Sequence, residues 1–192
     1  MIRFPALLAS AVLAMAALPA AALTIYGATL DQNEPVPTGS PGTGTARVTI
    51  DGTMMRVEAS FSGLVGTTTV SHIHCCTAAA DTGAAGVATA TPTFPGFPGG
   101  VMAGSYDTTF DMTLASSYNP AFITNNGGTT LGAFSALVAG LDAGTGYFNI
   151  HTSAFGGGEI RGFLHAIPEP ETYALMLLGL AAVGVAARRR KH

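Results

Sequence analysis

Residues 45–61 read TARVTIDGTMMRVEASF: two runs of alternating side chains joined across Asp51-Gly52. Alternation sends successive side chains to opposite faces of a strand. Asp-Gly between two such runs is a strong short-range signal for a β-hairpin, and a hairpin makes antiparallel sheet. The chain from residue 23 to 167 continues in this style. Short runs rich in Thr, Val, Ile, Phe and Tyr recur at 24–30, 67–74, 106–114, 147–152 and 159–165. Glycine, proline, aspartate and asparagine separate them, as turns demand.

Four segments depart from the pattern. Residues 33–44 hold three prolines and three glycines and read as a loop. Residues 77–100 are small and breaker-rich, either a functional loop or several very short strands. Residues 116–128 start like a short helix. Between 130 and 144, Leu131, Phe134, Leu137, Val138 and Leu141 fall at helical spacing, and Gly144 is placed to end that helix. The expected fold is all-β: an antiparallel β-sandwich or partly closed barrel with one or two short helical inserts.

The two ends are different material. Arg3, an apolar run from Ala6 to Leu18 and the small residues Ala20-Ala21-Ala22 make a secretory signal peptide over residues 1–22, with cleavage expected after Ala22. At the other end, fifteen uncharged residues from Tyr173 to Ala187 precede Arg188, Arg189, Arg190 and Lys191. Fifteen is short of the roughly 20 that span a bilayer, and the basic cluster would hold that end in the cytoplasm. With Pro168, Glu169 and Pro170 in front of the apolar helix, residues 168–192 resemble the PEP-CTERM sorting signal. The resemblance implies recognition by an exosortase-type processing enzyme of Gram-negative bacteria and a transient inner-membrane anchor. It also implies an exported product of the cell envelope or the extracellular space, often associated with exopolysaccharide.

Between these signals lies one domain, residues 23–167. Three arginines face nine carboxylates there, a net charge of −6 that the basic tail masks in the whole chain. An acidic domain without a basic stripe argues against nucleic acid as a partner.

Three stretches of this domain carry a second resemblance: DQNEPVPTGSPGTGTARVTID (31–51), SHIH (71–74) and GYFNIHTSAFGGGEIRGFL (146–164). Together they are similar to the CHRD domain, named for chordin. That resemblance implies an all-β extracellular domain and supplies no agreed activity.

The chain has five histidines and two cysteines, and four of these seven fall within residues 72–76. Parity puts Ile73 on one face of its strand and His72 and His74 on the other. In YFNIHT, Phe148 and Ile150 oppose Tyr147, Asn149 and His151; in EIRGFL, Ile160 opposes Glu159 and Arg161. If the aliphatic residues face the core, His72, His74 and His151 all lie on outer faces. An H-x-H pair on a strand holds its Cα atoms about 6–7 Å apart. With a third histidine it can chelate copper or zinc. The other reading makes them surface or structural hydrogen-bonding groups, with Glu159 and Arg161 as a same-face ion pair. Cys75 and Cys76 have only each other to pair with, in an oxidising compartment. A strained vicinal disulfide, soft-metal ligation and free thiols all remain open.

No nucleophile elbow, zinc-protease helix, phosphate loop or dinucleotide fingerprint occurs, and the acids lack calcium-loop spacing. The expectation is therefore a non-catalytic binding or structural domain, exported to the envelope or extracellular matrix. The alternative is a metal-binding or redox domain built on the H-x-H pair.

Overall fold

The computed structural model describes residues 23–32, 37–168, 179–181 and 183. The segment expected to be a signal peptide, Glu169, Pro170 and Arg188–Arg190 lie outside the described residues, while 179–181 and 183 are helical. Among the described residues no helix is long and apolar enough to cross a membrane.

The hairpin predicted at Asp51-Gly52 is the centre of the larger sheet. Strands β2 (Thr43–Asp51) and β3 (Met54–Ser62) pair from Thr43↔Ser62 to Asp51↔Met54. Gly52 opens their two-residue loop at φ +56°, a conformation that suits glycine. Met55, Val57, Ala59 and Phe61 point inward from β3, between exposed Met54, Arg56 and Ser60. β1 (Thr24–Leu30) flanks β2, and β5 (Gly104–Asp111) flanks β3.

The smaller sheet has three strands in the order β4 (Thr68–His74), β6 (Tyr147–Thr152), β7 (Ile160–Phe163). Its inward residues Ile73, Phe148, Ile150 and Ile160 are fully buried in one core with Tyr26, Leu30, Val48 and Met55. Each such side chain contributes roughly 1.5–3 kcal/mol by leaving water. The fold is a sandwich of two antiparallel sheets. No barrel closes.

The stretch read as a single strand, 159–165, is divided. It leaves the smaller sheet at buried Leu164, and His165–Ala166 (β8) pairs with β1 in the larger one. The larger sheet thus runs β5-β3-β2-β1-β8.

The segment 77–100 has neither its own sheet nor freedom. It lies along the outer edge of β4 and satisfies that edge's backbone groups. Ala88 N–H donates to Ile73 O at 2.9 Å, Phe94 N–H to Ser71 O at 3.0 Å and Gly100 N–H to Thr68 O at 2.8 Å. Covering an edge strand in this way removes a template for aggregation. Phe94 plugs the core, 5.3 Å from Phe110 and 5.9 Å from Phe148 between ring centroids.

Both helical inserts occur. Helix α1 (Pro120–Asn125) starts with Asn119 capping Ala121 N–H and proline in the first turn. Helix α2 (Thr130–Asp142) is capped by Thr129, and Gly144 follows its end at φ +66°. The buried face of α2 differs from the predicted one. Ala133, Leu137, Gly140 and Leu141 are buried, whereas Leu131 is 73% exposed. The large residues set the predicted face, but small ones set the real one, because the helix packs closely on the sheet end.

Candidate metal centre

The outer face of the smaller sheet carries the histidines. Register pairs Val70 with His151, His72 with Asn149 and His74 with Tyr147 across β4 and β6. His74 and His151 therefore sit two outward rows apart, with the His72–Asn149 row between them. They lean over that row until their Nε2 atoms are 3.4 Å apart. The ring centroids of the three histidines form a near-equilateral triangle with sides of 5.4, 5.6 and 5.7 Å. One nitrogen from each ring lies within 4.8 Å of the others.

This outer face is not a surface. His72, His74 and His151 are only 5–8% exposed. Two loops roof them, 77–100 from one side and 153–158 from the other. The roof also sets the protonation pattern. His72 Nε2 bonds Pro92 O at 2.5 Å, His74 Nδ1 bonds Ala85 O at 2.9 Å, and His151 Nδ1 bonds Gly156 O at 2.9 Å. A carbonyl oxygen only accepts, so each of these nitrogens carries the ring's proton. The lone pairs then fall on His72 Nδ1, His74 Nε2 and His151 Nε2. His72 Nδ1 is buried without a hydrogen-bond partner.

Burial pushes all three imidazoles below the ordinary histidine value of 6.5, despite the opposing backbone bonds. His74 falls to about 4, with His151, His72 and Arg161 adding positive neighbours to the effect of burial. The unprotonated nitrogens of three neutral imidazoles thus gather at one place; that of His151 accepts from Asn149 Nδ2 at 3.3 Å, and that of His72 has no hydrogen-bond partner. Two nitrogens bound at 2.0–2.1 Å to one tetrahedral ion lie about 3.3–3.4 Å apart. The His74–His151 separation already has that value. A donor set of imidazoles suits zinc or copper, and the backbone carbonyls behind it are the usual orienting partners of metal-bound histidine.

Other predicted site residues go elsewhere. Cys75 and Cys76 are joined to each other across a cis peptide, with Cα atoms 3.0 Å apart. Their sulfurs lie against Gly140 of α2. The Glu159–Arg161 ion pair does not form. The Glu159 carboxylate turns away, accepting from Ser40 Oγ at 2.6 Å, Val65 N at 2.5 Å, Gly66 N at 3.1 Å and Thr152 Oγ1 at 2.7 Å. Glu159 stands one residue before β7 begins, where the alternation of the strand no longer governs its direction. Arg161 does share the outer face. Its guanidinium lies 4.5 Å from the centroid of Tyr147, donates to Gly83 O at 3.1 Å, and Tyr147 in turn stacks on His74 at 4.9 Å. Pro168 follows β8 and is described; Glu169, Pro170 and Arg188–Arg190 of the sorting motif lie outside the described residues.

The carbonyls of Ala85, Pro92 and Gly156 leave no trace in residue identity, and sequence reasoning missed them. Parity places Asn149 on the outer face but does not mark it as part of the site, because its position opposite His72 follows from the β4–β6 register.

The molecule is thus a two-sheet antiparallel β-domain with a roofed three-histidine cluster on its smaller sheet. A family model described as the CHRD domain matches residues 26–164, and the chain belongs to that family. The PEP-CTERM protein-sorting motif matches residues 166–191, which implies export and recognition by an exosortase in a Gram-negative bacterium. No curated relative and no solved structure matches the chain.

Proposed function

We propose that this protein is an exported binding module whose working group is one zinc or copper ion. His72 Nδ1, His74 Nε2 and His151 Nε2 hold it, and the module acts in the envelope or extracellular matrix beside exopolysaccharide or envelope proteins. The observation that carries this reading is the convergence of three neutral imidazoles, each with its other nitrogen bonded to a backbone carbonyl. A structural histidine needs only its hydrogen bond. Three of them converging on one point offer a cation its ligands. The role proposed is binding rather than catalysis, since among the described residues the three ligands converge without a carboxylate or nucleophile in their cluster.

The test is metal content. The protein is exported to an oxidising periplasm, purified without a metal-affinity tag or chelator, and measured by elemental mass spectrometry. Near-stoichiometric zinc or copper is expected in the native chain and its loss in His72→Ala. A native chain that takes up neither ion, even when challenged with both, would leave the cluster as a hydrogen-bonded structural feature.

A further inference from the structure

Resting on that reading, we infer that Asn149 is the fourth ligand of the centre, binding the ion through its side-chain oxygen. Asn149 rises from the middle outward row, opposite His72, under the point where His74 and His151 lean together. It is 2% exposed. Its Nδ2 lies 3.3 Å from His151 Nε2, the same separation that two ligands of one tetrahedral ion adopt. Its Oδ1 is buried and has no hydrogen-bond partner.

These facts describe an amide facing the wrong way for a metal and the right way without one. As it stands, Nδ2 donates to the lone pair of His151, the nitrogen that would bind the ion, and also reaches Gly157 O at 3.3 Å. A half-turn about the last side-chain torsion exchanges the two ends of the amide without moving its volume. Oδ1 then stands where Nδ2 stood, beside the ion; the unpartnered oxygen gains a partner, and the bond to Gly157 O is given up for it. The seat is tight: Gly158 packs so closely that a Cβ there would strike the amide. Three imidazole nitrogens and one amide oxygen form a neutral set containing a hard donor. Such a set favours zinc or copper(II) over copper(I), which prefers sulfur.

The experiment loads the exported protein with zinc for affinity and with cobalt(II) for its visible spectrum. It compares the native chain with Asn149→Ala and Asn149→Asp. The native site is expected to be closed, so azide leaves the cobalt spectrum unchanged. Asn149→Ala should weaken zinc binding roughly tenfold or more and admit azide, seen as a shifted spectrum. Asn149→Asp supplies an anionic oxygen in the same place and should bind zinc more tightly while still excluding azide. Melting curves of the metal-free variants separate these effects from misfolding. Equal zinc affinity in all three chains, or azide binding to the native chain as readily as to Asn149→Ala, overturns the role of Asn149 and leaves the three-histidine centre standing. A native chain that takes up neither zinc nor cobalt overturns both.

Discussion

Glu159 shows how one side chain ties distant parts of the chain. Its two oxygens accept four hydrogen bonds, from the loops at Ser40 and at Val65–Gly66 and from Thr152 on β6. Burial alone would raise this carboxyl; the hydrogen bonds outweigh it and hold it below the ordinary glutamate range. Glu159→Gln keeps the shape but points an amide N–H at groups that themselves donate. It should cost about 2–4 kcal/mol at neutral pH, measured by chemical denaturation. The pH dependence has a definite sign. A carboxylate with a depressed folded-state pKa stabilises above its unfolded value, near 4.3, and that contribution is lost as pH falls through the folded value. The gap between native chain and variant should therefore close on acidification below about pH 4. An unchanged gap there would assign the effect to packing. The sequence placed Glu159 beside Arg161 because both follow the parity of a strand. The strand starts one residue too late for that, and the hydrogen-bond donors lie 7 to 119 residues away in the chain.

At the scale of elements, one contact that ties the helices to the end of the smaller sheet is α2 against the cysteine pair. A Cβ on Gly140 would collide with both sulfurs. Gly140→Ala would raise intrinsic helix propensity by about 1 kcal/mol, yet it should destabilise the protein by roughly 1–3 kcal/mol through overpacking. A melting temperature equal to or above that of the native chain would show that α2 and the cysteine pair part without loss. This contact also explains the misread helix face. Leu131, Phe134, Leu137, Val138 and Leu141 have helical spacing, but close approach favours Ala133 and Gly140, which hydrophobicity alone does not pick out. The strands were more legible. Each depends on neighbours two residues apart, so parity gave the inward set Ile73, Phe148 and Ile150 correctly. The same parity put the histidines on the outer face. It could not show the roof, because loops 77–100 and 153–158 act there through backbone carbonyls that every residue possesses.

For the whole molecule, the domain and its address are separable. The β-sandwich encloses its core within residues 23–168, and the sorting motif begins at 166. In a host with an exosortase, the exported product should lack residues 1–22 and the apolar tail, checked by intact-mass spectrometry of envelope and medium fractions. In a host without the enzyme, the tail should remain and hold the protein in the membrane fraction, with zinc binding unchanged. Recovery of a tailed, freely soluble form would contradict the anchor role expected of residues 173–187.

The sequence by itself determined the class of fold, the hairpin at Asp51-Gly52, the sorting signal, and the outward parity of His72, His74, Asn149 and His151 on their strands. All of these depend on residue identity at short spacing: a period of two, a turn dipeptide, an apolar run beside a charge cluster. Only the tertiary structure decided that β4 lies beside β6 in the register that brings His74 over to His151. Only there did the outer face prove to be buried, and Glu159 to bind loops instead of Arg161. Those outcomes rest on which segments meet across long stretches of chain and on backbone groups identical at every position, and neither is encoded in local pattern.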